Sequence, residues 1–192
     1  MRTALLTLAL ACSFAGAHAQ APEPAWAAEA RQAALSLPPR LLSVLQDEIA
    51  RNGPEGAIAT CRDQAPQMAR TASEQTGWAI RRVSLRNRNP KAVPDGWERA
   101  ALEDFDRRAA TGEAPARLEK AEAVVEDGKT VWRYVRALPT LELCTQCHGA
   151  PEQLKPAVRQ RLAELYPDDR ATGYRVGEIR GAITLRRVVA AN

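Results

Sequence analysis

The chain lacks any late stretch able to cross a membrane. A spanning helix needs about 20 apolar residues, and no such run follows the N-terminal segment. The protein is therefore not expected to be a membrane receptor by itself. It also lacks a surplus of charge of one sign. The arginines are scattered among acids, as on an ordinary solvated surface, and nothing argues for nucleic acid. There are no internal repeats. Histidine and methionine are scarce, two of each, and there are four cysteines. A four-ligand zinc site needs two pairs of Cys or His, and the chain does not supply a second pair.

The N-terminus reads as a signal peptide. Met1-Arg2 is a positive n-region, Ala4 to Ala15 an uncharged apolar stretch, and Ala17-His18-Ala19 a cleavage site. Cys12 as a lipoprotein cysteine fits worse, because Ala9-Leu10-Ala11 suits that signal poorly. Residues 1–19 are thus expected to be removed, leaving Gln20 first and a soluble, periplasmic protein of 173 residues. That length suffices for one domain with a sizeable core. Its net charge becomes +3. Removal also takes His18, Met1 and Cys12. One histidine (His148), one methionine (Met68) and three cysteines (Cys61, Cys144, Cys147) remain.

Two of those cysteines and the histidine form Cys144-Thr145-Gln146-Cys147-His148. Cys-x-x-Cys-His is the attachment motif of a c-type haem. The spacing follows from the chemistry: thiols on one helical turn reach the two haem vinyl groups. The imidazole that follows lies under the iron as its proximal ligand. One covalent haem is expected, and its two carboxylates would offset most of the positive charge. A disulfide is the plainer alternative. Cys61 is left without a disulfide partner.

Local signals place the elements. Gln20 to Pro24 is a polar leader, and the domain is expected over 30–192, with 20–29 mobile. Apolar residues at helical spacing run from Ala25 to about Ala50, and Pro38-Pro39 should interrupt or kink that helix. Asn52-Gly53-Pro54 stops it. A second helix from Pro54 to Thr76 carries Cys61 and Met68 on one face, which lies either against a macrocycle or against ordinary core. Trp78 to Leu85 reads as a strand. Asp95 and Glu98 announce a capped helix over 96–110. Strands over 116–126 and 130–138 flank the hairpin signal Asp127-Gly128. A helix over 152–165 and last strands over 173–176 and 178–189 complete an α+β domain with a central antiparallel sheet.

Further segments complete a family likeness: Ala59-Thr60-Cys61 with Ala65-Pro66, Arg82-Val83-Ser84-Leu85-Arg86, Arg88-Asn89-Pro90, Pro94-Asp95-Gly96-Trp97-Glu98, Cys144 to Gly149, and Gly177-Glu178-Ile179-Arg180-Gly181-Ala182-Ile183. With them the chain resembles the single-haem c-type cytochromes of PAS-like fold, found as exported proteins and as ectodomains of bacterial sensor kinases. It departs from them at Ala92, where similar proteins often carry Asn. The resemblance covers about Ala30 to Val189 and implies a five-stranded antiparallel sheet flanked by helices. It also implies iron held between His148 and a cysteine that falls at Cys61. On the residues alone, Met68 stays open as the alternative.

Arg81, Arg82, Arg86 and Arg88 are candidates for the haem propionates, since a guanidinium pairs bidentately with a carboxylate. The alternative is that they are exposed strand and loop charges. Two functions compete. One is a redox or small-ligand sensor module, working with a membrane signalling partner. The other is an electron carrier serving a redox partner protein. A haem peroxidase ranks last: it needs a distal acid–base group, and no second histidine survives, so no enzymatic activity is expected.

Overall fold

The computed structural model describes residues 23–189. The expected signal peptide and its cleavage site lie outside the described residues. Helix α1 (Ala25–Thr76) holds 52 residues, which would span about 77 Å if straight. Yet Trp78 Nε1 donates to Glu29 Oε1 at 3.1 Å. The helix must therefore fold back, and it does so at Gly53, where φ is 70° and ψ 171°. Pro54 then starts the return limb, where its missing N–H costs nothing. The backbone stays helical through Pro38 and Pro39, so the expected interruption there is absent. Ala33, Ala34 and Leu37, buried in the turn before these prolines, hold the first limb against the sheet.

Four strands follow: β1 (Ala79–Val83), β2 (Glu119–Glu126), β3 (Lys129–Pro139) and β4 (Ile179–Val188). They form one antiparallel sheet in the order β1-β4-β3-β2. Asp127 and Gly128 both have positive φ, 50° and 73°, as the tight β2–β3 hairpin requires. Helix α2 (Gly96–Ala110) starts at a capping box: Asp95 Oδ1 accepts from Glu98 N, and Glu98 Oε2 from Asp95 N, both at 2.9 Å.

Period-two alternation sends each strand's side chains to two faces. Ile80, Tyr134, Ile183 and Leu185 meet the small residues Ala30, Ala33, Ala34 and Ala72 of α1. Val83, Val135, Ala137 and Ala182 meet Ala101, Leu102 and Phe105 of α2. Two short helices, α3 (Glu142–His148) and α4 (Pro156–Leu165), stand at the end of the sheet.

Two expectations need correction. The sheet has four strands, not five, because residues 173–176 pair with no strand. Gly173 and Gly177 turn the chain there with φ of 77° and 90°. The segment instead spends its N–H groups on the α3 region, Gly173 N on Gly149 O at 2.7 Å and Tyr174 N on His148 O at 2.8 Å. The folded part also starts earlier than residue 30. Ala27 is fully buried, and Trp26 stacks on Trp132 with ring centroids 5.4 Å apart. Among the described residues, no helix is long and apolar enough to cross a membrane.

Candidate functional site

Helix α3 presents Cys144, Cys147 and His148 on little more than one turn. So short a helix is not stable alone, and the surrounding loops clasp it. At its start Thr140 N donates to Glu178 O and Thr140 O accepts from Gly177 N, each at 2.8 Å. At its end Gly149 N donates to Thr145 O at 2.8 Å, and a Cβ on Gly149 would lie 2.6 Å from that oxygen. From the side, Arg88 donates to Cys147 O at 2.6 Å and pairs with Asp169 at 3.0 Å.

His148 is oriented by a backbone carbonyl. Its Nδ1 lies 2.7 Å from Ala171 O. A carbonyl only accepts, so this bond puts the proton on Nδ1 and leaves the Nε2 lone pair bare. Burial, and then the charges of Arg180, Arg88 and Arg82, push the imidazole well below its ordinary pKa. The ring is neutral at neutral pH, the form in which histidine binds metal.

Cys61 and Met68 part company in the structure. Met68 packs with Trp26, Trp132 and Leu138 against the α1 side of the sheet. Cys61 is solvent-accessible, yet protein surrounds it closely enough that burial is the main influence raising its thiol pKa. The charges of Arg82, Arg88, Cys144 and Arg180 act on it as well. It stands one turn past Ile58, whose cluster Cys147 joins, so it borders a recess between the return limb of α1 and α3. Cys147 lies behind that recess, its Sγ 3.7 Å from Pro54 O and its side chain against Ile58, Leu154, Val158 and Leu162. Burial pushes its thiol up to about 11. Cys61, Cys144 and Cys147 are all free thiols. Among the described residues, no group of three or more His, Cys, Asp or Glu could hold a metal ion, as a zinc site would require.

The four candidate arginines separate. Arg81 and Arg82 are adjacent on β1 and so point to opposite faces. Arg81 turns to the α2 side and pairs with Glu98, itself only 2% exposed. Arg82 shares the face of Ile80 and Ser84 and is exposed there, with no hydrogen bond or ion pair among the described residues. Arg86 stacks on Tyr174, 4.1 Å from its centroid, and bonds to the Thr172 and Arg170 carbonyls. Arg88 braces α3 as described. A fifth arginine was not among the candidates. Arg180 is 6% exposed, with Nε 3.2 Å from His148 Nδ1. The one hint in the sequence is its position as the only charge in the apolar start of β4.

A groove of about 720 Å³ lies on the α2 side, between Leu102, Asp106, Tyr174 and Ile179. Apart from Arg86, none of the candidate residues lines it.

A family model described as Tll0287-like matches residues 18–187. Among solved structures, the "Crystal structure of the cyanobacterial heme-protein Tll0287" is similar, with a TM-score of 0.65 and 21% sequence identity. That match covers 89% of this chain and 99% of the other, and it shows a shared fold. No curated protein matches the chain.

Proposed function

The chain belongs to the Tll0287-like family, and from that premise we propose that it is a periplasmic c-type cytochrome acting as a redox or small-ligand sensor. Cys144 and Cys147 would attach one haem, and His148 and Cys61 would hold its iron. The observation that carries this reading is the packing of the return limb of α1 on α3: Pro54 and Ile58, two turns and one turn before Cys61, meet Cys147 or its cluster, whereas Met68 packs against the sheet core.

The donor set fits a haem. It offers two free thiols one turn apart, a neutral imidazole with Nε2 bare, a further free thiol, and guanidinium groups suited to carboxylates. The described heme-protein of the same fold adds support. When bound, the haem supplies one-electron exchange at iron. The chain's own part is positional. Ala171 O fixes the imidazole, Arg88 holds the Cys147 carbonyl, and the return limb of α1 presents Cys61. A thiolate donates charge to iron and so lowers its reduction potential, which suits a sensor better than a high-potential shuttle. A membrane signalling partner would carry the signal. The second reading, an electron carrier, draws on the exposure of Glu142 and Gln146 on α3, since an accessible haem edge favours transfer to a redox partner.

The test is the exported protein with Cys144 and Cys147 both changed to Ala. Haem staining on a denaturing gel should be lost. Full haem content in that variant contradicts the attachment.

A further inference from the structure

We propose that Arg82 and Arg180 together form the receptor for the two carboxylates of the haem; this rests on the haem reading above. The argument starts at His148 Nδ1, which lies 2.7 Å from Ala171 O and 3.2 Å from Arg180 Nε. A neutral imidazole nitrogen donates or accepts, but does not do both. The Ala171 carbonyl requires the proton on Nδ1. The Arg180 Nε–H requires the opposite tautomer, with the proton on Nε2, where it would exclude a metal. The two contacts are mutually exclusive. A histidine that ligates through Nε2 keeps the Ala171 bond and releases Arg180.

Arg180 then has too few acceptors. Ser84 Oγ at 3.1 Å and Arg86 O at 3.3 Å are both neutral, and both are served by one terminal nitrogen. No carboxylate pairs with this guanidinium among the described residues. A buried, unpaired cation is costly, and the cost falls away only if an anion arrives. Arg82 is exposed, so burial does not demand a partner for it, but it stands two residues before Ser84, on the same face, and the Ser84 Oγ accepts from Arg180. Among the described residues Arg82 makes no hydrogen bond or ion pair, and on the α1 face of the sheet it stands opposite Ile183, three residues from Arg180.

The other arginines are already engaged. Arg88 pairs with Asp169, Arg81 with Glu98, and Arg86 with two carbonyls. Two guanidiniums without anions therefore face a site whose ligand brings two carboxylates. Each fork matches a carboxylate bidentately. Arg180 would thereby connect a haem carboxylate to the setting of His148.

The test uses the exported, haem-loaded protein and the variants Arg82→Leu, Arg82→Lys and Arg180→Lys, with the exposed Arg107→Leu as control. Two quantities are read: the midpoint potential, and the resonance Raman band of the propionate bending mode. Arg82→Leu removes a positive charge from the recess. It should shift the ferric-to-ferrous ratio at fixed potential about tenfold toward ferric, equal to 59 mV for one electron. Arg82→Lys should keep the potential within about threefold in that ratio, because the charge stays. Both lysine variants should move the Raman band, because the fork is lost. Arg107→Leu should change neither. An Arg82→Leu protein that matches Arg107→Leu in both readouts overturns the proposal, whether or not Arg180→Lys folds. Absence of covalent haem from the wild-type protein, read as its pyridine haemochrome, would instead overturn the haem reading itself.

Discussion

Replacing Arg88 by Ala should be among the most damaging changes near the site. Its side chain and that of Asp169 are 10% and 11% exposed, and they pair at 3.0 Å. Arg88 also donates to Cys147 O at 2.6 Å. Truncation leaves the Asp169 carboxylate buried without its partner, and breaking a buried pair from one side costs about 3–5 kcal/mol. Domains of this kind hold only about 5–15 kcal/mol in total. With a urea slope of about 2 kcal/mol per molar, the midpoint should fall by about 2 M. Urea titration followed by far-ultraviolet circular dichroism reads this directly. Adding Asp169→Asn to Arg88→Met removes both charges and keeps Oδ1, which accepts from Ala171 N at 2.8 Å. That double variant should recover about 2 kcal/mol relative to the sum of the single changes. A loss below about 1 kcal/mol for Arg88→Ala, or strict additivity in the pair, would refute the view that Arg88 braces α3 through a buried ion pair.

Gly181→Ala should disrupt the β1–β4 pairing, because φ is 151° there and a Cβ would lie 2.3 Å from Val83 O; a fall in melting temperature of at least about 5 °C is expected. Trp26→Ala should cost about 3 kcal/mol through loss of its stack on Trp132. An unchanged urea midpoint would mean that the domain does not need residues before 30. Burial raises the Glu119 carboxyl, but hydrogen bonds from Arg31 and Tyr134, with the charges of Arg31 and Arg136, outweigh it and hold the pKa below its usual value. The resulting stability is present above the unfolded carboxylate pKa of about 4.3 and is lost as pH falls through the folded value. The stability gap between wild type and Glu119→Gln should therefore be large near neutrality and shrink in acid. A gap independent of pH would contradict this.

What could be read from the sequence was what neighbours in the chain decide. Asn52-Gly53-Pro54, Asp127-Gly128 and the Asp95–Glu98 box each set a break, turn or cap within a few residues, and each stands where expected. Pro38-Pro39 do not interrupt the helix, because burial of Ala34 and Leu37 just before them outweighs the local penalty. Residues 173–176 misled because their backbone partners sit on the distant α3. Alternation alone implied that Arg81 and Arg82 do not share a face, but only the packing of α1 and α2 says which of them meets the recess. Arg180 escaped notice because its contact with His148 spans 32 residues of sequence.

The central claim is that Cys61, and not Met68, ligates the iron opposite His148. The most direct measurement is the ferric absorption spectrum of the haem-loaded protein in Cys61→Ser and Met68→Leu variants. The account predicts a changed ferric spectrum and a raised potential in Cys61→Ser, with Met68→Leu close to wild type in both. A Cys61→Ser spectrum identical to wild type beside an altered Met68→Leu spectrum would contradict it, making Met68 the ligand and the protein a conventional electron carrier.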